Sequence, residues 1–231
     1  MEFVLDKFQE DAIKSLHQNL NVLVVAPTGS GKTLIAEKAV DKYISDGLNV
    51  IYTTPIKALS NQKYNDFNNL GIETGLLTGD RTINPDASLI IGTTEILRNM
   101  IFSNDKRLEN IGMIILDEVH YLGDSERGTT WEEIIIHLPK QIKLLSLSAT
   151  IENKNEFLDW LVSLRGPTHL VESSIRPVPL DVELVATENK NEKIYTIKSS
   201  KNNKNKRTFR FQNRYLKHKK PLMSNQINYL D

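Results

Sequence analysis

Short apolar runs alternate along the chain with segments in which apolar residues recur at helical spacing. Runs of roughly four to eight apolar residues are typical of buried strands, and the helical spacing is typical of helices with one buried face. The predicted strands are residues 22–26, 50–54, 74–78, 89–92, 113–116, 143–148 and 168–171. The predicted helices are residues 32–44, 57–69, 95–102, 130–137 and 155–164. This alternation predicts an α/β domain.

The predicted strands indicate what kind of sheet they form. The run Met113-Ile114-Ile115-Leu116 is apolar at every position. A strand with one face in water would alternate, so an unbroken apolar run indicates burial on both faces, as in parallel sheets. We therefore expect a doubly wound, mainly parallel sheet with helices on both faces, formed by residues 1–187.

The composition changes near residue 188. The formal net charge is +0, yet residues 1–189 hold 17 Lys+Arg and 27 Asp+Glu, whereas residues 190–231 hold 12 and 2. Residues 189–206 contain few large apolar side chains, too few to offset the entropy lost on ordering. We predict that residues 188–231 are a basic linker or a partial insertion. A solvated segment is favoured there over a nucleic-acid contact through its interleaved aromatic residues.

Composition also excludes some classes of protein. The chain has no cysteine, which rules out disulfides and cysteine-ligated zinc. No apolar run approaches the roughly 18 residues of a membrane span, and Met1-Glu2-Phe3 does not begin a signal peptide. We expect a cytoplasmic protein that does not contact membranes.

A glycine-rich loop joins the first predicted strand to the next helix, with the sequence Ala26-Pro27-Thr28-Gly29-Ser30-Gly31-Lys32-Thr33. Such loops wrap their backbone N–H groups around a phosphate, and the following helix directs its N-terminus at the anion. Lys32 would reach the β- and γ-phosphates, and the Thr33 hydroxyl would ligate Mg²⁺. Ala26 stands where glycine is more usual. The loop predicts nucleotide binding.

An acidic pair follows the buried strand at residues 113–116, within the sequence Asp117-Glu118-Val119-His120. Carboxylates at the end of a parallel strand can complete the metal site of a phosphate-binding loop. We expect Asp117 to hold Mg²⁺ through water, and Glu118 to orient and deprotonate the attacking water. A solvated acidic turn is the alternative, and the upstream loop disfavours it.

With these motifs the chain resembles the first RecA-like domain of superfamily-two helicases, in the DExH-box group of superkiller-like and exosome-associated RNA helicases. Five segments carry the resemblance: residues 26–33, 54–63, 93–98, 117–120 and 147–150. Glu126-Arg127-Gly128, Trp131-Glu132-Glu133 and residues 176–180 strengthen it. The resemblance covers residues 1 to about 180, and it implies a RecA-like P-loop NTPase fold with ATP and Mg²⁺ as cofactors.

The resemblance also implies roles for individual residues. Phe3 and Gln9 would contact adenine, although a helix beginning at Asp6 also explains this stretch, and His120 would belong to the catalytic set. The residues at a nucleic-acid backbone would be Thr54, Pro55, Lys57, Thr78, Gly79, Thr93, Thr94 and Arg98. Ser148, Ala149 and Thr150 would couple hydrolysis to strand movement, through hydroxyl hydrogen bonds to Asp117 or His120. A common glycine-rich turn equally explains Thr78 and Gly79.

The resemblance implies an ATP-dependent RNA helicase whose partners are RNA, a second RecA-like domain and an RNA-processing complex. That second domain is not recognisable in these 231 residues, so we expect the chain alone to be nearly inactive. Two alternatives stay open. One is a DNA helicase of the same superfamily, and the other is a non-catalytic nucleic-acid-binding fragment.

Overall fold

The computed structural model describes residues 4–123, 128–149, 151 and 153–176, and the backbone of three later strands. The chain divides into two compact units, residues 1–177 and 178–231, which we describe separately. This division falls before the boundary predicted at 187/188.

The first unit contains eight strands and six helices in its described residues. The strands are β1 Asn21–Val25, β2 Asn49–Thr54, β3 Thr74–Leu77, β4 Thr82–Ile83, β5 Leu89–Thr93, β6 Ile111–Leu116, β7 Lys143–Ser148 and β8 Thr168–Glu172. The helices are α1 Lys7–His17, α2 Lys32–Ser45, α3 Lys57–Asn69, α4 Thr94–Phe102, α5 Gly128–His137 and α6 Lys154–Arg165. Short 3₁₀ helices span Lys106–Asn110 and Val119–Gly123. Each predicted element is present, with bounds shifted by no more than two residues.

The eight strands form one sheet in the order β4-β3-β5-β2-β6-β7-β1-β8. All neighbouring pairs are parallel except β3 and β4. The carboxyl ends of the parallel strands therefore share one edge, where Thr54 pairs with Thr93 and Val25 pairs with Ser148. The prediction of a doubly wound, mainly parallel sheet is confirmed.

Helices cover both faces of this sheet because each strand sends alternate side chains to opposite sides. On β1, Val24 packs into the cluster that contains residues of α1, α2 and α3. Its neighbour Leu23 packs into the cluster formed with α4, α5 and α6, where Trp131 is the largest fully buried side chain. Each such buried side chain contributes about 1.5–3 kcal/mol relative to an exposed one.

The helix beginning at Asp6, given above as an alternative explanation of its stretch, is present as α1, whereas β4 and the two 3₁₀ helices were not predicted. The apolar residues Phe8, Ala12 and Leu16 recur every fourth position and place α1 against the sheet. Strand β4 is only two residues long and shows no pattern of its own. Among the described helices, none combines the length and apolar character that crossing a bilayer requires.

The second unit contains an antiparallel sheet in the order β11-β10-β9. These strands are β9 Glu183–Thr187, β10 Ile194–Ser200 and β11 Thr208–Phe209. Two of them lie within the segment predicted to be a linker. The role of residues 188–231 as a linker or insertion stays a prediction.

The close approach of β3 to the residues after β4 generates a stability prediction. A Cβ on Gly75 would lie 2.2 Å from the backbone oxygen of Asn84 and 3.2 Å from that of Ile83. Since backbone atoms cannot rotate away, Gly75→Ala should lower the free energy of unfolding by about 1–3 kcal/mol, measured by urea denaturation. Thr82→Ala, at an exposed position on β4, is the control and should change it by less than about 0.5 kcal/mol. Equal stability of the Gly75 variant and the wild type would contradict the packing.

Candidate functional site

The glycine-rich loop leaves β1 at the carboxyl edge of the sheet and leads into α2. Ala26 N donates to Ser148 O at 3.1 Å, which ties the start of the loop to the end of β7. Gly29 and Gly31 have φ values of +80° and +87°, in the region that favours glycine. The loop therefore takes its curved path from its two glycines and its anchorage to the neighbouring strand.

The polar groups of this loop suit a phosphate. Lys32 Nζ donates to Ala26 O at 2.8 Å and to Pro27 O at 3.2 Å. Burial lowers the pKa of Lys32, and the charges of Glu118 and Asp117 oppose that shift. The hydroxyl of Ser30 is buried without a hydrogen-bond partner among the described residues. A phosphate at the N-terminus of α2 would accept from Lys32 and from this hydroxyl.

Gln9 is in direct contact with the loop. Its side chain, 3% exposed, accepts from Asp6 N at 2.9 Å and donates to Gly31 O at 3.2 Å. A Cβ on Gly31 would lie 2.5 Å from Gln9 Nε2, so any other residue there would displace the Gln9 amide from this contact. Both ends of the Gln9 amide are engaged by the protein, and its contact with adenine stays a prediction. Phe3 lies outside the described residues.

Asp117 is held at the end of β6 by three hydrogen bonds. Its backbone N–H donates to Thr53 O at 3.0 Å. One carboxylate oxygen accepts from the hydroxyl of Tyr52 at 2.6 Å, and the other accepts from Glu118 N at 2.9 Å. Tyr52 is fully buried, and burial, followed by the charge of Asp117, raises its pKa well above the ordinary value, so it is a proton donor. The orientation of Asp117 is thus fixed by the protein.

Glu118 has the features of a general base. Its φ of +58° is uncommon outside glycine and turns the chain sharply after Asp117. Burial raises the pKa of Glu118 and the charge of Asp117 raises it further, whereas His120, Lys32 and Lys63 oppose the shift. His120 Nδ1 lies 3.3 Å from Glu118 Oε2. A carboxylate with a raised pKa accepts a proton more readily near neutral pH.

The predicted magnesium ligands are oxygen atoms, as this ion requires. Mg²⁺ usually takes one or two protein oxygens and completes its shell with phosphate and water. Thr33 and Asp117 match that pattern, and within the described residues no group of three His, Cys, Asp or Glu side chains offers a fuller metal cage. Thr33 Oγ1 already faces a cation, since Lys63 Nζ donates to it at 3.2 Å. The donor set therefore fits magnesium.

The predicted nucleic-acid residues lie on the same edge, at the ends of β2, β3 and β5. Helix α3 begins at Lys57 after β2, and α4 begins at Thr94 after β5. The hydroxyl of Thr54 is buried and bonds to Ile56 O at 3.0 Å and to Ser60 Oγ at 2.7 Å. Thr94 is also buried. The Thr54 hydroxyl therefore stabilises the start of α3, and contact of Thr54 or Thr94 with nucleic acid stays a prediction.

The charged residues predicted at this edge have partners. Lys57 Nζ lies 3.0 Å from Asp80 Oδ1, which also accepts from the Thr78 hydroxyl at 3.0 Å. Arg98 Nε pairs with Glu133 of α5. Nucleic-acid phosphates would therefore compete with carboxylates for Lys57 and Arg98.

The predicted coupling contact is not formed by Ser148. Its hydroxyl is buried without a partner among the described residues. The expected bond from Ser148 to Asp117 or His120 is therefore absent, and the carboxylate of Asp117 accepts from Tyr52 and Glu118 N instead. Thr150 lies outside the described residues, so its contacts and the coupling role of residues 148–150 stay a prediction.

Three residues of the site were missed from the sequence. Tyr52 lies inside an apolar strand and resembles an ordinary core residue, so only the fold reveals its contact with Asp117. Lys63 and Glu133 lie within helices whose charged positions resemble a solvated face. Lys63 contacts Thr33 across 30 residues of sequence, a pairing that no local spacing signals.

A phosphate-binding loop between β1 and α2, with an acidic pair after the nearby parallel strand β6, defines a P-loop nucleotide-binding domain. Residues 6–157 match the sequence family of DEAD/DEAH box helicases. The chain belongs to this family, and membership implies nucleotide binding.

Individual relatives are considerably longer than this chain. It is 49% identical over 187 residues to the DExH-box ATP-dependent RNA helicase DExH15, chloroplastic, of Arabidopsis thaliana, covering 78% of this chain and 16% of that protein. It is 46% identical over 179 residues to the exosome RNA helicase MTR4 of Homo sapiens, covering 77% and 17%. It is 46% identical over 182 residues to the probable helicase HelY of Mycobacterium leprae, covering 78% and 20%. The chain thus spans no more than about a fifth of these relatives.

Solved structures with the same fold include the DUF1998 helicase MrfA bound to DNA. That structure has a TM-score of 0.62 at 22% identity and covers 74% of this chain and 27% of its own. A second structure, with DNA and AMPPNP, has a TM-score of 0.63. The likeness establishes the RecA-like helicase fold.

The raised pKa of Glu118 predicts how stability depends on pH. Because the folded chain holds this proton more tightly than the unfolded chain, Glu118 loses its stabilising contribution as pH rises from below 4.5 through the raised pKa. Glu118→Gln should therefore gain stability relative to wild type between about pH 4 and pH 7, measured by urea denaturation. Glu109→Gln, at an exposed position, should show no such gain. A difference that stays constant across this range would contradict the burial of Glu118.

Proposed function

We propose that this chain is the ATP-binding domain of an ATP-dependent RNA helicase, which couples ATP hydrolysis to RNA strand separation. The observation that carries the proposal is the meeting of the phosphate-binding loop and the pair Asp117 and Glu118 at one edge of the sheet. Electrostatic interaction of Lys32 with both carboxylates supports a shared site. The names of the plant and human relatives favour RNA as the substrate.

Within the proposed ATP site, Lys32 exchanges its two loop carbonyls for phosphate oxygens. Thr33 and Asp117 hold Mg²⁺, which neutralises phosphate charge when bound. Tyr52 orients the Asp117 carboxylate, while Glu118 positions a water molecule and takes its proton. The raised pKa of Glu118 supports this last role, since a weakly basic carboxylate would accept a proton less readily.

At the proposed RNA edge, the chain contacts the sugar-phosphate backbone. The first N–H groups of α3 and α4 lie at neighbouring strand ends, and phosphates accept hydrogen bonds at such helix starts. Lys57 and Arg98 add positive charge once their carboxylate partners are displaced. Contacts of this kind position a strand without reading its bases.

Full activity in this proposal requires a second RecA-like domain, which supplies arginine residues to the γ-phosphate. Such an arginine typically contributes about 10³-fold or more to turnover, so the 231-residue chain alone should hydrolyse ATP very slowly. An RNA-processing complex is a further proposed partner, supported by the name of the human relative. The cytoplasmic location stays a prediction.

Nucleotide binding tests the ATP site directly. Lys32→Ala removes a charged donor to the phosphates and should weaken binding of fluorescent ADP with Mg²⁺ by about 10- to 100-fold. Lys38→Ala is the matched control, because Lys38 lies on the same helix and pairs with Asp41 at the surface. Glu118→Gln should bind nucleotide within a few-fold of wild type and, in the protein that contains both RecA-like domains, lose about 10²–10⁴ in turnover. Unchanged binding by the Lys32 variant would contradict the assignment.

Competition between single-stranded RNA and DNA of one sequence tests the substrate class. RNA should displace a labelled RNA at a lower concentration than DNA does, in a fluorescence anisotropy assay. Equal affinities would leave the preference for RNA without support, and tighter binding of DNA would favour the DNA helicase alternative.

Deletion of residues 189–231 tests the alternative of a non-catalytic nucleic-acid-binding fragment. On the helicase proposal, nucleic-acid binding should persist after the deletion, because the first unit supplies the edge. Loss of nucleic-acid affinity with retained ADP binding would show that the basic segment dominates.

A further inference from the structure

Lys63 projects from the middle of α3 into the predicted magnesium corner of the nucleotide site. Its side chain is 14% exposed, although lysine normally extends into solvent. Its Nζ donates to Thr33 Oγ1 at 3.2 Å, while its nearest described carboxylate partner, Asp66 on the same helix, lies farther away at 3.8 Å. The contact with Thr33 is therefore the closer one, and it joins two elements that are distant in sequence.

The surroundings of Lys63 are acidic. Its positive charge interacts favourably with the carboxylate of Glu118, which follows β6. Burial raises the pKa of Glu37 on α2, and the charge of Lys63 opposes that shift. The ammonium group of Lys63 thus interacts with carboxylates from three separate parts of the chain, namely Glu37 of α2, Asp66 of α3 and Glu118 after β6. Without a cation at this position those carboxylates would repel one another in a partly buried corner.

The ammonium group of Lys63 and a magnesium ion would both bind the hydroxyl oxygen of Thr33. Lys63 uses a lone pair of the Thr33 hydroxyl oxygen, and a magnesium ligand must offer a lone pair of that oxygen to the metal. Two cations this close would also repel strongly. Binding of one cation at Thr33 therefore disfavours binding of the other.

We propose that Lys63 is a tethered cation that holds the magnesium position in the nucleotide-free site and is displaced when Mg²⁺ arrives with the nucleotide. This inference rests on the proposed function, in which Thr33 ligates the metal. Lys63 is a positioning residue here, because it acts on the site through Thr33 and the acidic groups.

The proposal makes two opposite predictions for Lys63→Met, which removes the charge and keeps most of the length. The Mg²⁺ concentration that gives half-maximal tight binding of fluorescent ADP should fall by about 3- to 10-fold, because a competing cation is gone. Binding of the same nucleotide in excess EDTA should weaken by a similar factor, because the phosphates lose their substitute cation. General damage to the site would instead weaken ADP binding both with Mg²⁺ and in EDTA.

Two further variants serve as controls. Lys63→Arg keeps a cation on the same helix and should resemble wild type in both arms. Lys38→Met removes an exposed lysine from α2 and should leave both arms unchanged. Urea denaturation of each variant establishes that it is folded before binding is measured.

The outcomes separate this inference from the proposed function. If Lys63→Met weakens binding equally in both arms, or changes neither, the tethered-cation role is overturned while nucleotide binding by wild type stands. If wild type binds no nucleotide with Mg²⁺, the proposed function is overturned and this inference with it. Opposite shifts in the two arms support it.

Discussion

The parallel register of the central strands is the constraint on which the rest of the structure depends. In a parallel sheet every carboxyl end lies on one edge, and short loops then place polar residues side by side. Here β2, β6, β7 and β1 are consecutive neighbours, so residues far apart in sequence meet. The register of β2 on β6 places Thr53 beside Leu116, and Asp117 N then donates to Thr53 O. Neither the loop nor the acidic pair would form a site without this alignment.

Partial burial determines the electrostatic properties of this edge of the sheet. Lys32, Asp117 and Glu118 are partly withdrawn from water, where charges interact more strongly. The same withdrawal raises the pKa of Glu118 and lowers that of Lys32, and the opposite charges of the two groups limit both shifts. Neighbouring opposite charges, more than solvent, therefore favour the ionised forms of Lys32 and Glu118. Tyr52 and Lys63 contribute one neutral donor and one cation to that balance.

Much of the fold was predictable because the signals are local. The unbroken apolar run at 113–116 identifies a strand buried on both faces, and the run from β1 into Gly29, Gly31 and Lys32 identifies a phosphate-binding loop. The missed features depend on tertiary contact. Tyr52 looks like a core residue until the register brings it to Asp117, and β4 owes its two residues to pairing with β3. The hydrogen bond expected from Ser148 is absent, because the direction of its hydroxyl depends on tertiary packing that sequence does not show.

The last three residues of β2 serve different tasks in succession. Tyr52 bonds to Asp117, Thr53 pairs with the end of β6, and Thr54 stabilises the start of α3. Inserting or deleting one residue in this strand would turn every side chain to the opposite face of the sheet. Such a one-residue shift would disrupt both the hydrogen bond that orients Asp117 and the start of α3. Natural variation in length should consequently be confined to the surface loops and be absent from this strand.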